Sequence, residues 1–83
     1  MIITWDEPKR RVNITRHAMD FADLDVAFFE NAIIRRSYSG RWLAIGRSVN
    51  GVISVVFATL GQEAISVISM RPASRKGMKL ADG

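Results

Sequence analysis

The chain has 83 residues, 48% of them apolar and 24% charged, which fits one folded domain and excludes both a second core and disorder throughout. It has no cysteine and one histidine, which removes disulfides, a thiolate nucleophile and an ordinary zinc site. The formal charge of +4 points to a polyanionic partner, and no apolar run approaches the roughly 18 residues of a membrane span.

The opening Met1-Ile2-Ile3-Thr4-Trp5-Asp6 lacks the basic-then-apolar order of a secretory signal, so a cytoplasmic location is expected. Ile2-Ile3-Thr4-Trp5 is β-prone and serves either as a short edge strand or as an anchor for its Trp. Asp6 then reads as an N-cap, with Glu7 and Pro8 in a first turn that suits a carboxylate and costs proline no bond. The spacing predicts a helix over Glu7–His17, with Pro8, Val12, Thr15 and Met19 along one face. Arg16 and His17 fall in its last turn, where cations favour the free carbonyls.

Asp20 opens a second expected helix, running to about Glu30, with Phe21, Leu24, Phe28 and Phe29 as its apolar stripe. Beyond Asn31 the period changes to two. Strands are expected at Ile33–Tyr38, Arg41–Val49, Val52–Leu60 and Ala64–Arg71, separated by Ser39-Gly40, Asn50-Gly51 and Gly61-Gln62. Such short loops force antiparallel neighbours. The expected class is therefore α+β, with two N-terminal helices packed on a four-stranded antiparallel meander sheet. Residues 1–71 make the domain, and 72–83 form a basic tail that is poorly ordered or partly helical. The two helices can cover only one sheet face, so the other must be covered by the tail or by a partner.

Charge is unevenly placed. Lys9, Arg10, Arg11 and Arg16 lie in a stretch without acids, whereas Asp20, Asp23, Asp25 and Glu30 lie in one without bases. The surplus comes from Arg35, Arg36, Arg41 and Arg47 and from the tail's Arg71, Arg75, Lys76 and Lys79. Glycine-rich phosphate loops, a Gly-x-Ser-x-Gly elbow and His-Glu-x-x-His are all missing from the sequence.

One reaction suits this inventory: RNA cleavage without a metal or other cofactor, in which the ribose 2′-hydroxyl attacks the adjacent phosphate. It requires cations around the phosphorane and a group that exchanges protons. Arginine forks match phosphate oxygens, and histidine carries protons near neutral pH. His17 is the candidate proton carrier, or else a residue that orients the turn after its helix. Lys9, Asn13, Arg16 and His17 share one helical stripe, which is either a phosphate-facing surface or a solvated face. Arg71, on the same side of its strand as Ser69, points into a concave sheet face or snorkels at an edge. Arg41 follows a turn directly, and Trp42 beside it offers a stacking plane or a core anchor. Arg35, Arg36 and Arg47 serve either solubility or a general attraction to RNA. Tyr38 either packs, stacks or donates a proton.

Four segments, in order, resemble one family. Trp5-Asp6-x-x-Lys9-x-x-x-Asn13-x-x-Arg16-His17-x-x-x-Phe21 resembles the opening of the BrnT toxins. Arg41-Trp42-x-x-Ile45-Gly46, Val55-Val56-Phe57 and Ile65-x-x-Ile68-Ser69-x-Arg71 resemble their three following strands. The resemblance implies a RelE-like fold and a ribonuclease that blocks translation. It further implies neutralisation by a ribbon-helix-helix antitoxin of the BrnA kind, through which alone operator DNA is bound, and a possible homodimer when the toxin is alone. Lys9, Asn13, His17, Arg41, Ser69 and Arg71 stand at the family's motif positions. Ala18 stands where the family has glycine. Relatives continue after the Arg71 position into a helix rich in Glu, Arg and Tyr, against which Pro72 and Gly77 argue here. A non-catalytic module binding protein or nucleic acid is the alternative reading.

Overall fold

The computed structural model describes residues 1–82. In chain order it has strand β1 (Ile2–Trp5), helix α1 (Glu7–His17), a 3₁₀ turn (Phe21–Asp23) and helix α2 (Val26–Asn31). Strand β2 (Ile33–Arg36), a second 3₁₀ turn (Tyr38–Gly40), β3 (Trp42–Ser48), β4 (Gly51–Leu60), β5 (Ala64–Pro72) and helix α3 (Arg75–Asp82) follow.

The meander from β2 to β5 is antiparallel, but the sheet has five strands in the order β1-β5-β4-β3-β2 and is mixed. The expected four-stranded sheet is corrected by β1, which runs parallel to β5 from Ile2 opposite Ala64 to Trp5 opposite Val67. Alternation explains why it pairs: Ile3 and Trp5 turn into the core while Thr4 Oγ1 donates to the Ile65 carbonyl at 2.8 Å.

The single helix expected over 20–30 is two elements. Asp20 accepts from the Ala22 amide at 2.9 Å and starts a 3₁₀ turn. Asp25 then accepts from the Phe28 amide at 2.8 Å and starts α2. Two capping aspartates in quick succession compete for helix starts, and Leu24 between them is extended. Phe21, Leu24, Phe28 and Phe29 still reach one core, where Phe29 meets Phe28 and Phe57 edge-on at centroid distances of 5.2 and 5.4 Å. Gly46 admits α2 to the sheet, since a Cβ there would lie 3.2 Å from the Phe28 ring.

Register assigns the two faces of the sheet. Ile53, Val55, Phe57, Val67 and Met70 face α2 and the 3₁₀ turn, and form the inner, buried face. The outer face carries Val52, Ser54, Val56 and Ala58 on β4, opposite Ser66, Ser69 and Arg71 on β5. Val56 pairs with Ser69 whereas Phe57 pairs with Val67, so Ile68 is the extra residue of a bulge.

α3 forms where Pro72 and Gly77 argued against a helix. Ser74 provides the start, its Oγ accepting from the Gly77 amide at 3.2 Å. Gly77 is buried and lies over Ile45 and Ser54 of the outer face; a Cβ would meet Ala73 at 3.3 Å and Ile45 at 3.6 Å. α3 thus covers the Ile45–Ser54 end and leaves Leu43, Val56, Ala58 and Ser66 only half-buried.

Candidate functional site

The site begins where β1 ends. Trp5 pairs with Val67, so from Ile68 onward β5 has α1 beside it instead of a strand. Asn13 fills that gap: its Oδ1 accepts from the Met70 amide and its Nδ2 donates to the Met19 carbonyl, both at 3.0 Å. The residue is only 4% exposed, so Asn13 does not stand on an open surface stripe with Lys9 and Arg16, whether phosphate-facing or solvated. Val12 and Ile14, although apolar, are exposed. What turns inward is an amide, because an unpaired strand edge must be satisfied.

α1 closes with Ala18 in the left-handed region, φ 55 and ψ 33, its amide bonded to the Ile14 carbonyl. Arg10 clamps the chain beyond this turn. Its Nε and Nη2 donate to the two carboxylate oxygens of Asp20 at 2.7 and 2.9 Å, and Nη1 also reaches Glu7. The Arg10 fork, followed by the Ala22 amide, holds the Asp20 carboxyl below the usual carboxylate range. Glu7 is lowered by Arg10 and by the Trp5 indole, and Arg10 itself is raised, chiefly by Asp20.

Between α1 and the bulge lies a shallow cleft of about 190 Å³, lined by Lys9, Val12, Asn13, Arg16, His17, Ile68 and Ser69. Lys9 and Arg16 are exposed on its rim and His17 is half-buried. Five of the nine residues expected from sequence therefore share one hollow, with Asn13 as its wall.

Two more flank it on the outer face. Ser69 pairs with Val56 and Val56 with Leu43, while Arg71 pairs with Ser54, so Arg71 projects from the same side as Ser69. Arg41 is extended and directly precedes the inward-facing Trp42, so alternation puts Arg41 on this side too. Register separates the Arg41 and Arg71 backbones by about 16 Å, from ~3.3 Å per residue along and ~4.8 Å per strand across. Arg35, opposite Leu43, adds a further cation to this face.

Arg36 and Trp42 are on the other side of the sheet. They pair with each other, Arg36 lies 5.8 Å over the indole, and Trp42 packs against the core. Trp42 is thus no stacking plane beside Arg41. The aromatic that Arg41 does cover is Tyr38, at 5.2 Å. Tyr38 as a partner of Arg41 and Arg10 as a clamp were not singled out from sequence. Arg35 was separable from Arg36 in principle, since adjacent strand residues take opposite faces.

A larger hollow of about 450 Å³ opens between α2, β3 and α3, but Asp23 and Asp25 line it against the single cation Arg47, and none of the expected site residues do. Its acidic side makes it the poorer cradle for phosphate despite its size. Among the described residues, no three His, Asp or Glu side chains are grouped to hold a metal ion, and no helix is long and apolar enough to cross a membrane.

Fold and cleft together define a small α+β protein with imidazole, ammonium and guanidinium groups gathered on one open sheet face. The family model described as ribonuclease toxin, BrnT, of type II toxin-antitoxin system matches residues 5–77. The chain belongs to that family and is thereby a toxin of a two-component pair whose other member is an antitoxin. It is similar to the ribonuclease toxin BrnT of Brucella abortus, whose crystal structure at 1.1 Å resolution matches with a TM-score of 0.83 and 49% identity, over 90% of this chain and 99% of that one. No curated protein matches it.

Proposed function

We propose that the outer sheet face cleaves RNA by attack of a ribose 2′-hydroxyl on its own 3′-phosphate, and that this cleavage inhibits translation in the cytoplasm. One observation carries the reading: His17, Lys9, Arg16 and Ser69 line one cleft, on the face from which Arg71 and Arg41 project. In the reaction the 2′-oxygen forms a bond to phosphorus and the bond to the 5′-oxygen breaks. A 2′,3′-cyclic phosphate and a 5′-hydroxyl result. His17 takes the 2′-hydroxyl proton, and solvent, with open access to the cleft, protonates the leaving oxygen. Arg71, projecting on the same side as Ser69, balances the phosphorane charge with its forked donors, and Arg41 engages a neighbouring phosphate further across the face. Lys9 and Arg16 hold flanking phosphates, and the Ser69 hydroxyl offers a hydrogen bond to the chain.

The antitoxin in this reading is a ribbon-helix-helix protein of the BrnA kind that brings the complex to operator DNA. The half of the outer face that α3 leaves open supports burial by such a partner, or by a second copy when the toxin is alone. The RelE-like assignment is supported by helices that precede an antiparallel meander, β2 to β5.

The test is incubation of purified protein with single-stranded RNA in excess EDTA, followed by end-group analysis. Fragments bearing cyclic phosphates are expected. RNA that is bound yet intact, with or without magnesium, would replace the enzyme by a binding module.

A further inference from the structure

The connection between β2 and β3 holds one aromatic ring out in solvent. Tyr38 is 61% exposed and is not part of the hydrophobic cluster. It sits on a closed loop: the Ser37 amide donates to the Arg41 carbonyl at 2.9 Å, and the Arg41 amide to the Tyr38 carbonyl at 3.0 Å. To close so tightly the chain passes through two consecutive left-handed residues, Ser39 at φ 53 and Gly40 at φ 73. A serine in that region is strained, and such strain persists only where the surroundings impose it. The product is a ring with the half-buried Arg41 guanidinium 5.2 Å from its centroid.

We propose that Tyr38 is a nucleobase-stacking subsite, taking an unpaired base of single-stranded RNA on its open surface while Arg41 engages the adjoining phosphate. This rests on the reading that the outer face binds RNA. Three features argue for a base over a packing role. An exposed tyrosine stabilises no core, whereas Trp42, the other aromatic beside an arginine here, packs against the cluster. Arg41 orients the ring and also brings a charge that a phosphate needs. Register places Arg41 about 12 Å from Ser69 in the cleft, so a short strand crossing the face meets both (from ~3.3 Å per residue and ~4.8 Å per strand). Stacking of this kind discriminates little among bases, since each has a π-face. The subsite therefore selects unpaired RNA, not a sequence.

The probe is a short 2′-O-methyl RNA carrying 2-aminopurine at successive positions, which lacks the 2′-hydroxyl nucleophile and so reports binding without cleavage. With the wild-type protein, one label position should show fluorescence quenched by stacking on a ring. Tyr38→Leu should abolish that quench and weaken binding about ten- to hundred-fold, while Tyr38→Phe, which keeps a ring, should hold both. Circular dichroism melts confirm that each exposed-site variant folds. Binding and quench unchanged in Tyr38→Leu would overturn the stacking subsite and leave the RNA reading standing. Failure of the wild-type protein to bind the oligonucleotide at all would overturn both.

Discussion

Burying an amide side chain is costly unless both its ends find partners, and at Asn13 both do. Replacing it by alanine strands the Met70 amide and the Met19 carbonyl together. Asn13→Ala should therefore lower stability by about 2–3 kcal/mol, measured as a fall in the urea midpoint without a change in slope. Ala18 presents the opposite case. Its left-handed conformation costs a Cβ-bearing residue about 1 kcal/mol, so Ala18→Gly should stabilise by roughly that amount, with the melting temperature as readout. The position of Asn13 beside Lys9, Arg16 and His17 was legible from helical spacing. Its inward turn was not, because amphipathic reading counts apolar side chains and is blind to a neighbouring strand edge left unpaired.

Contacts between elements depend on two glycines and one ionic fork. At Gly46 the approach of α2 leaves no room, so Gly46→Val should cost about 1–3 kcal/mol through overpacking against Phe28 and Ala32. At Gly77 a large side chain would lift α3 off Ile45 and Ser54. The fork between Arg10 and Asp20 ties α1 to the following turn, and it gives stability a pH dependence. Because the Asp20 carboxyl titrates lower folded than unfolded, its contribution is complete above the ordinary aspartate value of about 3.9 and vanishes as pH falls through the lower folded value. Arg10→Gln should lower stability above that range and flatten the acid limb, seen in unfolding free energies measured from pH 6 to pH 2. At this scale the sequence was most readable for β2 to β5, where period-two runs and Asn50-Gly51 set a meander. It was least readable for β1, whose partner β5 lies some sixty residues away in sequence, and for the aspartate pair that splits the second helix.

At the scale of the molecule, the sheet sorts the cations. Lys9, Arg16, Arg35, Arg41 and Arg71 serve the outer face, while Arg36 stays behind it over Trp42. If the outer cations neutralise phosphates, binding of single-stranded RNA should weaken log-linearly with salt, and each of Arg41→Gln and Arg71→Gln should reduce the slope by about 0.7. Membership of His17, Arg41 and Arg71 in one surface could not be read from their separation in sequence; it follows from a helix laid beside the bulge of β5.

The most direct test compares the two faces in a single cleavage assay on folded variants. His17→Ala and Arg71→Ala should slow cleavage of RNA by about 10²–10⁴-fold, whereas Arg36→Ala should stay close to the wild-type rate. Full activity in the outer-face variants, or its loss on removing Arg36 alone, would contradict a catalytic outer face.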